Sequence, residues 1–277
     1  MYAKDFAFNG KKLSDYGCVL CSLTESTDIK TISIGSNITF NTIYTQANNK
    51  FKLMSSDYTE AYSATFQICK LNCSDINDKF FSVEETASIT RWLNQKSYKR
   101  FQLITDDGQY DNIYYMGSFN LQKILLGNDT VGFELTLQTD APFGYYNEVY
   151  YELTFNTSED TNIVYDPSDE IGYIYPKDIV IECLSSGNLE IENSQEPNRK
   201  TIINNCMSGE IISIDSENKI ITSNKAHPRL YNDFNYNYMR ISNRDKGRDD
   251  DTLNEYSVSM PCRITFSYSP ICKVGLV

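Results

Sequence analysis

A mainly β protein in two parts, an α+β first half with one main helix followed by a β-sandwich, is the fold this sequence predicts. Three observations lead there. Tyrosines number 21 against 14 phenylalanines and stand among many Thr, Ile and Asn, a mixture suited to half-buried strands and polar turns. Helical periodicity is confined to one stretch near residue 90, beside a strand of clean two-residue alternation. After Tyr175-Pro176, short strand signals return roughly every ten residues between Gly, Asn, Asp and Ser turns, the pattern of a sandwich.

The elements follow in order. From Ala61 to Leu71, Tyr62, Ala64, Phe66 and Ile68 alternate with Ser63, Thr65 and Gln67, which puts the apolar set on one side of a strand. Ser82 is followed three residues later by Glu85, a capping box, and Ala87, Ile89, Trp92 and Leu93 then give a helix over about Val83 to Gln95. Phe101 to Thr105 and Asn112 to Phe119 flank Asp106-Asp107-Gly108, a hairpin turn. A further strand, Gly132 to Thr139, comes after Gly127-Asn128-Asp129. Composition shifts between Asp140 and Pro176, so the sequence places a domain boundary within 141–175. Beyond it the expected strands are Ile179 to Leu184, Asn188 to Glu192, Lys200 to Asn204, Glu210 to Ile214, Lys219 to Ser223, Tyr236 to Ile241 and Arg263 to Tyr268.

Charge and residue counts exclude several kinds of chemistry. The net charge is −12 with no run of Lys or Arg, which argues against tight binding to a nucleic-acid backbone. One histidine, His227, rules out multi-His metal centres. It lies in Lys225-Ala-His-Pro228, unaccompanied by a Gly-x-Ser-x-Gly elbow, and reads as a surface loop residue. Ser216-x-x-Lys219 has the spacing of a Ser-Lys pair but sits in a turn between two expected strands. Cys18-x-x-Cys21 and Cys69-x-x-x-Cys73 have ligand-like spacings, yet in a strand positions i and i+3 point to opposite faces, so reduced thiols are expected. Cys183, in the apolar run Ile179 to Leu184, reads as a small hydrophobe. Asp249-Asp250-Asp251 is contiguous instead of spaced by two as in a calcium loop, and reads as a self-paired loop with Arg244, Lys246 and Arg248. No catalytic, metal-binding or cofactor-binding residue is therefore assigned. Trp92 and Leu93 are expected in the core, and the Tyr231 to Tyr238 stretch fits either strand amphipathicity or stacking on sugar rings. The amino terminus has no apolar stretch suited to a signal-peptide core, and nowhere do 18 apolar residues run together, so the expectation is synthesis in the cytoplasm with no membrane insertion.

Taken in order, several motifs resemble the distal tail protein (Dit) family of long-tailed, siphovirus-type phages. They are Phe6-x-Phe8-Asn9-Gly10, Ser14-Asp15-Tyr16-Gly17, Arg91-Trp92-Leu93, Thr139-Asp140-Ala141-Pro142-x-Gly144-Tyr145, Tyr175-Pro176, Gly209 to Asp215 and Lys273-Val274-Gly275-Leu276. The resemblance implies a ring-forming domain over residues 1–145 and a galectin-like β-sandwich over 146–277. It implies a non-enzymatic hub in the virion, a hexameric ring at the tail tip that joins tail tube to baseplate or tip. The implied partners are further copies of the chain, the tail tube protein, the tail-associated hub protein, the tape-measure protein and a receptor-binding protein. DNA would pass through the lumen without specific binding, and assembly would occur in the bacterial host cytoplasm. The charged loop from Arg244 to Glu255 departs from what the family leads one to expect at that hairpin. Two competing functions remain at this level: a carbohydrate-binding β-sandwich adhesin that contacts the host surface, and a wall-degrading hydrolase, for which no catalytic constellation is present.

Overall fold

Alternating apolar and polar residues dominate the chain, and its computed structural model, which describes residues 3–23, 35–46, 49–71, 79–243 and 253–276, is accordingly mainly β. The chain divides into two units: Met1–Tyr146 with Cys272–Val277, and Asn147–Ile271. The last residues, from Cys272, thus belong to the first unit, a placement that a division into 1–145 and 146–277 does not contain.

The first unit contains β1 (Ala3–Phe8), β2 (Lys11–Lys12), β3 (Cys18–Cys21), β4 (Ile38–Thr45), β5 (Lys50–Tyr58), β6 (Ser63–Lys70), α1 (Val83–Leu93), β7 (Lys99–Thr105), β8 (Ile113–Leu126), β9 (Asp129–Thr139) and β10 (Gly144–Tyr146). One antiparallel sheet runs in the order β2-β1-β7-β8-β9-β6-β3, and β10 pairs with the start of β8. Asn9 and Gly10 both take positive φ, 50° and 76°, which closes β1 onto β2 in a two-residue turn. Helix α1 begins as its sequence dictates: the Ser82 hydroxyl accepts from the Glu85 amide at 3.1 Å, and the Glu85 carboxylate accepts from the Ser82 amide at 2.7 Å. Ile89, Trp92 and Leu93 are its buried face, spaced by three and four residues. Trp92 stacks on Tyr16 and Phe6, with centroids 4.3 and 5.7 Å away, and its indole N–H donates to the Phe8 carbonyl at 2.9 Å. The returning C-terminal residues are fastened by Tyr110, whose hydroxyl donates to the Gly275 carbonyl at 2.8 Å, and Leu276 is buried in this core.

The second unit is a sandwich of two antiparallel sheets around one apolar core. Its elements are β11 (Val149–Phe155), β12 (Thr161–Tyr165), β13 (Gly172–Ile174), β14 (Asp178–Cys183), β15 (Gly187–Asn193), β16 (Lys200–Cys206), β17 (Glu210–Asp215), β18 (Ile220–Ser223), α2 (Leu230–Asp233), β19 (Ile241–Asn243), β20 (Leu253–Val258) and β21 (Cys262–Tyr268); β22 (Ile271–Cys272) marks the return to the first unit. One sheet is ordered β11-β21-β14-β17-β18 and the other β12-β20-β15-β16. Alternation is strict: Ile179, Ile181 and Cys183 of β14 face inward with Ile212 and Ile214 of β17, and Leu189, Ile191 and Ile203 meet them from the second sheet.

Three differences from the sequence expectations have physical reasons. Residues 236–241 were expected as a strand, but Tyr236 holds a positive φ of 59°, and only Ile241 belongs to a strand there. The Asn235 side chain accepts from the Ile202 and Asn237 amides, both at 3.1 Å, and so replaces part of a ladder. β11 and β12 lie where composition suggests a linker; the polar residues between them form a turn in which Asp160 accepts from the amides of Asn156 and Thr157. β8 runs on to Leu126, seven residues past Phe119, because β9 continues to pair with it as far as Asp129.

Candidate functional site

Among the described residues of the second unit, the residue types that chemistry would need converge around His227. The first residue of β17, the last of α2 and the loop between β18 and α2 bring Glu210, Asp233 and His227 together. Nδ1 of the imidazole lies 2.8 Å from Glu210 Oε1, and Nε2 lies 3.1 Å from Asp233 Oδ2. The His227 side chain is therefore buried and doubly clamped, and does not stand free on the surface as its loop setting suggests. The turn around Pro228 carries the ring inward onto two carboxylates far apart in sequence. Burial opposes its charged form, but the hydrogen bonds to Glu210 and Asp233 outweigh it and hold the imidazole pKa above 6.5. Glu210 is fully buried, which by itself raises its pKa, yet donors from Ser223, Met207 and His227 bring it below 4.5. The Ser223 hydroxyl donates to Glu210 Oε1 at 2.6 Å, so the hydroxyl points at the carboxylate and both ring nitrogens are taken by acids. A nucleophilic triad needs the hydroxyl on the imidazole, and this cluster is a structural clamp.

The remaining sequence candidates separate. Cys18 and Cys21 occupy the two ends of β3, and Cys69 stands on β6 opposite Val19; Cys73 and Asp249-Asp250-Asp251 lie outside the described residues. Among the described residues no three His, Cys, Asp or Glu side chains gather as metal ligands would. Burial pushes the Cys18 and Cys262 thiols up to about 12, which keeps them protonated and unreactive. Cys183 is buried beside its cross-strand partner Cys262, a small hydrophobe as expected. Ser216 and Lys219 sit in the β17–β18 turn, where Asp215 Oδ1 accepts from the Glu217 and Asn218 amides, and Lys219 Nζ stands 4.3 Å from the Tyr238 ring centroid. Tyr238 is buried, whereas Tyr231 and Tyr236 are exposed, so the three do not share one platform for a sugar. No described helix is long and apolar enough to cross a membrane.

What the chain does present is an apolar surface on the first unit. β4 and β5 pair only with each other among the described residues, and Phe40, Phe51, Leu53 and Met54 on this hairpin are all more than half exposed. Its base stands against Phe143, whose ring lies 6.4 Å from that of Tyr58. Sequence reasoning passed over this hairpin, although Ile38-Thr39-Phe40 and Phe51-Lys52-Leu53 alternate and Asn48-Asn49 is a turn signal.

Comparison with known proteins places these features in context. Residues 1–141 match the family profile described as phage tail protein N-terminal domain, and residues 143–268 match the one described as phage tail C-terminal domain. No curated protein sequence matches the chain. Among solved structures, the chain is similar to the crystal structure of SPP1 Dit (gp 19.1), described as a paradigm of hub adsorption apparatus in Gram-positive infecting phages. The TM-score is 0.62 at 10% identity, over 97% of this chain and 99% of that one, which is a shared fold.

Proposed function

The chain belongs to the family of phage tail proteins that those two profiles define, and on that premise we propose that it is the structural hub at the distal end of a phage tail. The observation that carries this reading is the match in fold across both units to a protein described as a hub of the adsorption apparatus. In this reading six copies form a ring through their first units, the ring joins the tail tube to the baseplate or tip, and the second units anchor receptor-binding proteins. The mechanism is geometric. The ring sets symmetry, and the sandwiches set the radius at which adhesion proteins attach.

Two physical features support it. A ring that lets DNA slide through should not hold phosphates, and a chain of net charge −12 supplies no sequence-wide attraction for them. A closed ring also requires each subunit to carry exposed surface for its neighbours, and the apolar hairpin β4–β5 is surface of that kind. The imidazole, held between two acids, ties the loop before α2 and the end of α2 to β17.

The test is localisation on the particle. Gold-labelled antibody raised against the chain should decorate the free tip of the phage tail in negative-stain images. Label distributed along the tail tube or confined to the head-proximal end would overturn the reading.

A further inference from the structure

Three cysteines meet at one end of the second unit. Cys183 ends β14, Cys262 opens β21 as its register partner, and Cys206 ends β16 in the facing sheet. All three lie in the apolar core, none more than 2% exposed. Facing sheets stand ~10 Å apart, whereas a disulfide needs Cα atoms within about 7 Å, so cysteines in the middle of a sandwich do not bridge its sheets. This end is different. Met207, Ser208 and Gly209 carry the chain from β16 into β17 of the other sheet, and the Gly209 amide donates to the Cys183 carbonyl at 2.7 Å. The crossing is thereby pinned against Cys183, three residues after Cys206.

The thiols at this end are ordered by hydrogen bonds. Cys183 donates to the Cys206 sulfur, which also accepts from the Leu189 amide, while the Cys206 thiol donates to the Ile203 carbonyl at 3.3 Å. Two donors on one sulfur favour its thiolate, and they hold Cys206 below 9.0. Cys183 is raised because its proton is committed to Cys206, and burial pushes Cys262 up to about 12. Of the three, Cys206 is the nucleophile and Cys183 the thiol in line with it. Cys206 also adjoins the exposed turn Ser208-Gly209, whose opening admits a small reagent.

We propose that Cys183 and Cys206 are an oxidisable dithiol that closes into a disulfide between the two sheets when the chain meets a low-molecular-weight disulfide. The Cys206 thiolate attacks one sulfur of that oxidant and expels a thiolate. Cys183 then gives up its proton and attacks the Cys206 sulfur, expelling the second thiolate, so two protein thiols become one disulfide and the oxidant becomes two thiols. The bridge encloses β15 and β16, restricts the unfolded chain and locks the sandwich, which raises its melting temperature by on the order of 10 °C. On the hub reading, the pair stays reduced during assembly and closes once the particle has left the host. That use rests on the hub reading; the chemistry does not.

The experiment incubates the folded full chain with oxidised glutathione, alkylates the remaining thiols in denaturant and maps unreduced tryptic peptides. Trypsin separates the three cysteines into 178–199, 201–219 and 249–263. The expected product joins 178–199 to 201–219, two hydrogens lighter than their sum, and the oxidised chain melts about 10 °C above the reduced one. Cys206→Ala should melt alike with and without the oxidant, and Cys262→Ala should still close the bridge. Alkylated Cys183 and Cys206, a glutathione adduct retained on either, or a link to Cys262 or any other cysteine would overturn the assignment; the wild-type map alone decides this. A bridge formed without the rise in melting would overturn the lock. None of these outcomes bears on the hub reading, which the tail-tip label tests separately.

Discussion

Replacing His227 by Ala removes the imidazole that faces buried Glu210 at 2.8 Å and Asp233 at 3.1 Å. Breaking a buried pair by deleting one partner costs about 3–5 kcal/mol. Glu210 keeps the Ser223 hydroxyl at 2.6 Å and the Met207 amide at 2.8 Å, so the lower end, about 3 kcal/mol, is expected. For a unit spanning Asn147–Ile271, that corresponds to a fall in Tm of about 10 °C. The pH dependence is fixed in sign. The His227 pKa is raised above 6.5 by folding, so its contribution is complete below that value and is lost as pH rises through the raised one. Glu210 is lowered below 4.5, so its contribution is complete above that value and is lost as pH falls through the lowered one. Wild type should thus be most stable relative to His227→Ala between about pH 5 and 6.5, with the difference shrinking as pH rises through the raised imidazole value. His227→Gln, whose amide keeps N–H donors but does not titrate, should lose the alkaline part of that dependence. Calorimetry of the full chain across this range reads both effects. A variant melting within about 2 °C of wild type at pH 6 would refute the clamp.

Three further outcomes follow from the first unit. Trp92→Ala should cost about 3–5 kcal/mol in guanidinium titrations followed by circular dichroism, since it empties a stack with Tyr16 and Phe6 and orphans the Phe8 carbonyl. Ser82→Ala should cost about 1 kcal/mol and speed hydrogen exchange at the Glu85 amide, because that amide loses its acceptor. Gly132→Ala should destabilise by about 1–3 kcal/mol in the same titration, because its Cβ would meet the Ile68 carbonyl oxygen at 2.6 Å, and backbone in a paired strand has little room to give.

Where local chemistry dominated, the sequence was enough to read the structure. The Ser82–Glu85 box located the start of α1 to the residue, and alternation located β6, β14, β17 and β21 within one or two positions. The buried clamp was not legible, since Glu210 and Asp233 come to His227 through the packing of β17 and α2, and a Pro-flanked histidine carries no local sign of that. The segment over 236–241 failed because its aromatic alternation mimics a strand while Asn235 captures the backbone first. Hairpin β4–β5 had a period-two signal, but a register shift that regroups its apolar residues cannot be read from alternation alone. The distal tail resemblance, by contrast, rests on short motifs spread from β1 through α1 and β17 to the last residues, and the family profiles and the fold agree with it.

The central claim is that copies of this chain close into a ring, and light scattering over a rising concentration series, with electron-microscope class averages of the same sample, tests it most directly. The account predicts six-fold rings with an open centre and peripheral lobes. A monomer at every concentration, or a closed assembly of any other symmetry, would contradict it.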